Sequence, residues 1–155
     1  MSSAIIAALH YFALAMSFWS IAERAQILWL LQKNQNDTIT RDKVLFYDNF
    51  WGLSALLIIS TGILRAFYGY EKGAEYYLNN FVFYTKIGMV VAILLLELYP
   101  MFHFVKWRIR IAKTSGVTFS ALQLKWFFVI SSLQIVILSI IILLASLMAR
   151  GIGMV

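Results

Sequence analysis

The chain contains no cysteine, which removes disulfides, thiolate metal sites and iron–sulfur clusters from the chemistry open to it. Charge is scarce too: only 13% of its 155 residues are Asp, Glu, Lys or Arg, while 62% are hydrophobic. A soluble domain of this size has no interior able to hide so much apolar surface, so an integral membrane protein is expected. Neither a Ser-His-Asp arrangement nor a glycine-rich phosphate loop is present. The six methionines are scattered, which suits gap-filling in a core better than a copper ladder, and no metal site is expected. The net charge of +6 raises the question of nucleic acid. Its basic residues, however, flank apolar runs, the pattern of topology determinants, and no nucleic-acid partner is expected.

Four apolar runs are predicted to cross the bilayer, at about residues 3–31, 44–70, 80–105 and 120–149. They make one all-α domain over 1–155, an integral membrane four-helix bundle. The first run follows Met-Ser-Ser with no Lys or Arg and continues past Ile21, so it reads as a retained span and not a cleaved signal peptide. Asp42 is placed to cap the second span, and Ser120 with Gln123 has capping-box spacing before the fourth. Pro100 invites a kink near the end of the third. The first connection carries Lys33, Arg41 and Lys43 and the third Lys106, Arg108, Arg110 and Lys113, whereas the second has only Lys72. That bias puts the first and third loops in the cytoplasm and both termini on the outer, periplasmic side of a bacterial inner membrane.

The spans are not purely apolar. Lys86 and Glu97 lie eleven positions apart in the third, a rotation of about 1100°, close to a whole number of turns. Both therefore share one helical face with Val90 and Ile93 between them. A charge in hydrocarbon costs at least ~2.5 kcal/mol without a partner, so such a stripe is expected to face protein. In the first span His10, Ser17 and Arg24 recur every seven residues, with Glu23 beside them. The second carries Asp48 near its start and Arg65 near its end. It also carries a face of small residues (Gly52, Ala55, Gly62, Ala66) suited to close helix contact. In the fourth, Lys125, Ser132, Ser139 and Ser146 repeat every seven, with Gln134 deep in the span. Plainer roles exist for several of these: Arg24 and Arg65 as snorkelling anchors, Glu23 as an interfacial partner of Arg24, Asp48 at a helix start, and His10 as a hydrogen-bonded packing residue.

The succession ALHYFALA, AERAQIL, GLSALLIISTGILRAFYGYEKGAEYYLNNFVFYTKIGMV and LELYP resembles the small bacterial membrane proteins of domain-of-unknown-function 2214. The likeness runs over most of the first three spans. That group is distantly similar to the four-span haem-b protoporphyrinogen oxidases and to the copper-resistance membrane domain. The resemblance implies His10 as a haem ligand, following Leu9 as in the oxidase pattern, and Lys86 as the lysine early in the third span. Glu97 stands where the oxidase pattern has a further histidine.

The leading expectation is a non-enzymatic protein handling protons or small ions and helping to maintain electrochemical balance and envelope integrity. Lys86 would set the field at the outer mouth and Glu97 would carry a proton on the inner side. Asp48, Glu23 and Arg24 would form an inner vestibule, with Arg65 and His10 supporting the outer one. A homo-oligomer in contact with the lipid bilayer is expected, joined through the small-residue faces of spans two and four. The alternative is a haem-b oxidoreductase linked to porphyrin or quinone, using His10 and Lys86. A scaffold of an envelope complex, in which the charges only pair with one another, comes third.

Overall fold

Long runs of Leu, Ile, Val and Phe have one local way to satisfy their backbone in hydrocarbon, the α-helix, because lipid offers no hydrogen-bond partner. The computed structural model of the chain, which describes residues 2–33, 38–113 and 119–154, obeys that constraint. Four long helices, α1 (Ser2–Lys33), α2 (Thr38–Phe67), α4 (Phe81–Lys113) and α5 (Ala121–Ala149), are joined by loops and one short helix, α3 (Ala74–Leu78). Each long helix holds a segment able to cross a membrane: Ser3–Lys33, Asp42–Phe67, Phe81–Ile111 and Ala121–Ala149.

The helix ends have local causes. Ser120 accepts from the Gln123 amide at 3.2 Å while the Gln123 side chain accepts from the Ser120 amide at 3.0 Å, the reciprocal cap expected from the spacing. Asp42 does not cap α2, which already starts at Thr38 and holds Asp42 inside it. The second span ends at Phe67, earlier than expected, and the chain then turns at Gly69, whose φ of 72° suits a residue without Cβ. α4 runs through Pro100 to Lys113, beyond the expected limit near 105. Pro100 is fully buried, and its ring deprives only the Leu96 carbonyl of its helical donor. Residues 34–37 and 114–118, in the two basic connections, lie outside the described residues.

The distribution of polarity is that of a membrane protein. Leu53, Leu56, Leu95, Phe102 and Leu143 are exposed, whereas Ser17, Ser20, Arg24, Ser54, Ser131 and Gln134 are buried. With no hydrophobic force pressing helices together in lipid, close packing and interhelical hydrogen bonds must join them. The heptad on α1 supplies three such rungs to antiparallel α2. His10 meets Thr61 at 2.8 Å, Ser17 donates to Ser54 at 2.8 Å, and Arg24 donates to Asp48 at 3.0 Å.

The seam expected on α5 is displaced by one residue. Ser132 and Ser139 donate back to the Phe128 and Ile135 carbonyls of their own helix, and the inward face is instead Leu124, Phe127, Ser131, Gln134, Leu138 and Ile141. The small face of α2, expected to join copies of the chain, also turns inward in large part: Ala55, Gly62 and Ala66 line a cavity within the bundle.

Helix packing follows the order α2–α1–α5–α4, and α2 and α4 have no comparable contact with each other. The ring is therefore open on one side. Three apolar clusters stack along its axis. Leu28, Leu31, Phe104, Trp107, Phe119 and Phe127 fill the end near the basic loops. Ile21, Trp51, Ile93, Leu138 and Ile141 form the middle. Ala66, Tyr77, Val82, Phe83 and Met148 lie near the chain termini. At that last end the C-terminal segment is clipped to the start of α4: the Phe81 amide donates to the Gly153 carbonyl at 2.8 Å, and Asn80 donates to Ile152 at 3.2 Å. Gly153 has a φ of 91°, and a Cβ there would lie 2.5 Å from Val82, so the clip needs glycine.

Candidate functional site

Two polar regions occupy the bundle, separated by its middle apolar layer. The one toward the basic loops is centred on Arg24, which is completely buried. Its guanidinium grips Glu97 through two parallel bonds, Nη1 to Oε1 at 2.7 Å and Nη2 to Oε2 at 2.8 Å. Nη1 also donates to Asp48 at 3.0 Å, Nη2 to the Gln134 carbonyl oxygen at 2.8 Å, and Nε to Ser131 at 3.2 Å. All five guanidinium protons thus have acceptors, the condition for holding this group out of water. Gln134 returns its amide to Glu97 at 2.8 Å and to the Ile93 carbonyl at 3.3 Å. The second Asp48 oxygen takes a bond from Arg108 at 3.0 Å, and Arg108 also donates to the Leu45 carbonyl at 3.1 Å. Two arginines face two carboxylates, so the cluster is formally neutral, and it ties together all four long helices. No buried side-chain nitrogen or oxygen among the described residues lacks a partner.

At the other end of the bundle, α2 and α4 are only sparsely packed against each other, which leaves a cavity of about 370 Å³. Its depth is apolar: Trp51, Ile59, Val90, Ile93, Leu138 and Ile141. Its head is polar, with His10, Arg65, Glu71, Lys72, Tyr77 and Lys86. Arg65 donates to Glu71 at 2.9 Å and lies over the Tyr11 ring at 5.1 Å. Lys72 donates to the Ala149 carbonyl at 3.0 Å, at the C-terminus of α5, where a cation is favoured. Lys86 makes no ion pair with any carboxylate among the described residues; its ammonium lies 5.6 Å from the Phe83 ring centroid. Thr61 gives its proton to the Leu57 carbonyl at 2.5 Å, so His10 Nδ1 is the donor in the bond to Thr61 and Nε2 is left as acceptor.

Glu71 and Tyr77, in the connection between α2 and α4, brace this head. Burial by itself would raise the Glu71 carboxyl, but hydrogen bonds from Tyr77 and Arg65, with the Arg65 charge, hold it below the ordinary 4.5. The Tyr77 hydroxyl is pushed up, first by burial and then by that carboxylate. A carboxyl with a lowered pKa favours the folded arrangement above its ordinary range and loses that contribution as pH falls through the lowered value. The Glu71 carboxyl resonance in ¹³C-glutamate spectra should therefore titrate below 4.5, with the brace intact at neutral pH. A midpoint at or above the ordinary value would contradict the arrangement.

The structure thus divides the residues singled out in the sequence. Arg24, Asp48 and Glu97 meet in one cluster; His10, Arg65 and Lys86 meet in the other region. Lys86 and Glu97 do share the inward stripe of α4, with Val90 and Ile93 between them, yet they do not face one continuous polar passage. The apolar layer of Ile21, Trp51, Ile93, Leu138 and Ile141 lies between their surroundings. Glu23 is half-buried and has no part in the Arg24 cluster. His103 donates from Nδ1 to the Tyr99 carbonyl of its own helix, 2.8 Å away, and is half-buried, remote from His10.

Ser131, Arg108, Glu71 and Tyr77 are members of these regions that the sequence does not mark as such. Ser131 is one turn before Gln134 on the same face, a usable signal that the heptad of Lys125, Ser132 and Ser139 obscures. Arg108 has the appearance of a topology determinant. Glu71 takes its partners from six positions away on either side, Arg65 at the end of α2 and Tyr77 in α3, a spacing that no helical periodicity announces.

Neither a curated protein nor a solved structure matches the chain. A family model does, described as predicted membrane protein (DUF2214), over residues 2–153. With nearly its whole length matched, and with four helices long and apolar enough to cross a membrane, the chain belongs to the DUF2214 family of membrane proteins.

Proposed function

We propose that the protein is a non-enzymatic handler of small ions or protons in the membrane. An anionic species enters the cleft between α2 and α4, and the Arg24 cluster acts as a lock on the far side. One observation carries the reading: a cleft with excess positive charge is open at one end of the bundle, above a neutral four-helix ion cluster closing the other. An ion crossing the apolar layer between them would lose its hydration without compensation. Passage therefore requires the lock to rearrange, which describes a gated carrier more than an open channel. Arg108 is the lock's accessible strap, half exposed where Arg24 is sealed.

Ion flux in proteoliposomes tests this. Lys86→Met should reduce anion uptake about five-fold, the weight of one cation near a membrane surface. Arg108→Met, which frees one oxygen of Asp48, should increase it. Flux indifferent to both substitutions would overturn the proposal.

A second reading is supported by His10. Its Nδ1 is held by Thr61 and its Nε2 is an acceptor, the tautomer a five-coordinate haem b needs. Lys86, on the facing wall of the cleft, fits a propionate or a sixth position. Bound haem would supply one-electron chemistry there, while these residues hold and orient it. A Soret band lost in His10→Ala would favour this reading; colourless protein expressed with ample haem would remove it.

A further inference from the structure

The open side of the bundle faces lipid and not only water. The slot between α2 and α4 is flanked by exposed Ile63, Phe67, Ile87, Val91 and Leu94, side chains that belong against hydrocarbon. Below its head the slot offers a hydrated ion no charged side chain, and the indole N–H of Trp51 is the one side-chain donor among its described lining residues. The slot offers a long aliphatic wall ending on Trp51 and Ile93. At the head, Arg65, Lys72 and Lys86 outnumber Glu71. Arg65 is paired with Glu71, while Lys72 donates to the Ala149 carbonyl and the Tyr76 hydroxyl, which leaves Lys86 as the cation of this head, among the described residues, with no hydrogen-bonded partner. Lys86 lies five residues inside α4, about 7 Å below its start, within reach of a headgroup but not flush with bulk water. Apolar slot, lateral mouth and an excess of cations at the polar end are the complement of a single kind of molecule.

We propose that the α2/α4 cleft is a binding site for an anionic phospholipid, taken sideways from the leaflet on the side of the chain termini. Its phosphate sits between Lys86 and Arg65, and one acyl chain lies along the slot toward Trp51 and Ile93. Lipid tails gain nothing hydrophobic by leaving one hydrocarbon for another, so selectivity comes from the head: a headgroup with net negative charge is preferred to a zwitterionic one. This rests on the reading of the cleft as an anion site and narrows its occupant, but it does not require transport.

The test uses the full chain in phosphatidylcholine vesicles carrying a trace of chain-spin-labelled phosphatidylglycerol or, separately, chain-spin-labelled phosphatidylcholine. Electron paramagnetic resonance reads the motionally restricted fraction. Wild type should retain the phosphatidylglycerol label at least five-fold more strongly, about the weight of one cation. Lys86→Gln should remove most of that preference. Ile87→Trp, an exposed position at the slot mouth that touches no charge, should shrink the restricted fraction while circular dichroism reports unchanged helix. Val90→Trp, deeper in the slot, repeats the obstruction should Ile87→Trp prove innocuous to entry. Equal retention of both labels in wild type overturns the proposal. Loss of the preference on adding excess inorganic phosphate also overturns it, since the site would then take a small anion without a chain. Lys86-dependent anion flux without lipid preference keeps the ion-handling function and rejects the lipid. A preference unaffected by Lys86→Gln rejects the assigned headgroup contact.

Discussion

Arg24→Leu should be the most damaging single substitution in the chain, at about 3–5 kcal/mol, the scale for breaking a buried ion pair by removing one partner. The leucine fits the space, but Glu97 would be left with only the Gln134 amide and Asp48 with only Arg108. One carboxylate must then stay charged without compensation in the bundle or take up a proton. Arg24→Lys should recover little, because three rotatable donors replace a planar set of five that here reaches Glu97, Asp48, Gln134 and Ser131 at once. Removing both partners is a different matter. The double variant Arg24→Leu/Glu97→Leu should be more stable than Arg24→Leu alone, because no uncompensated charge remains between α1 and α4. Denaturant titration in mixed micelles, read by far-ultraviolet circular dichroism, gives the order directly. Wild-type stability in Arg24→Leu would show that the cluster contributes nothing to holding the four helices together.

Phe127→Ala should come close behind, also at about 3–5 kcal/mol, for a reason without electrostatics. Phe127 is completely buried, with ring centroids of Phe104 at 4.9 Å, Phe119 at 5.2 Å, His103 at 5.6 Å and Tyr99 at 5.7 Å around it. Truncation leaves a void that these rings, anchored on α4 and on the segment entering α5, cannot all move to fill. Packing is most of what joins apolar faces in lipid, so the loss is not recovered by solvent effects. Leu143→Ala, on the same helix but 64% exposed, should change stability by less than about 0.5 kcal/mol. Comparable losses at the two positions would mean that the aromatic cluster is not a packed core.

Much of this bundle is legible in the order of its residues, and the legible part has a common character. The heptad of His10, Ser17 and Arg24 identifies the face of α1 that bonds α2, because spacing along one helix fixes which side chains align. The shared stripe of Lys86, Val90, Ile93 and Glu97 is legible for the same reason. What stays hidden depends on more than one helix. Glu23 and Arg24 are adjacent, about 100° apart around the axis, and only the rotation of α1 against its neighbours decides which is buried. Ser131 and Ser132 pose the same question on α5, and there the longer repeat points to the wrong one. Asp48 has the look of a helix-start carboxylate, but α2 begins ten residues earlier, which puts Asp48 within reach of both Arg24 and Arg108.

Composition and hydropathy by themselves determined a membrane protein of four long helices with a few ionisable groups inside. Backbone hydrogen bonds in an α-helix are local, and each apolar run had nowhere else to make them. Only the tertiary structure decided that Glu97 belongs to Arg24, 73 positions away, and that Lys86 forms no ion pair with a carboxylate among the described residues. It alone decided, too, that α2 and α4, bridged by Arg108 at one end, part over the rest of their length. An ion pair is set by a few ångströms between side chains on different helices, and an opening by where two helices diverge; neither distance is written along one strand of sequence.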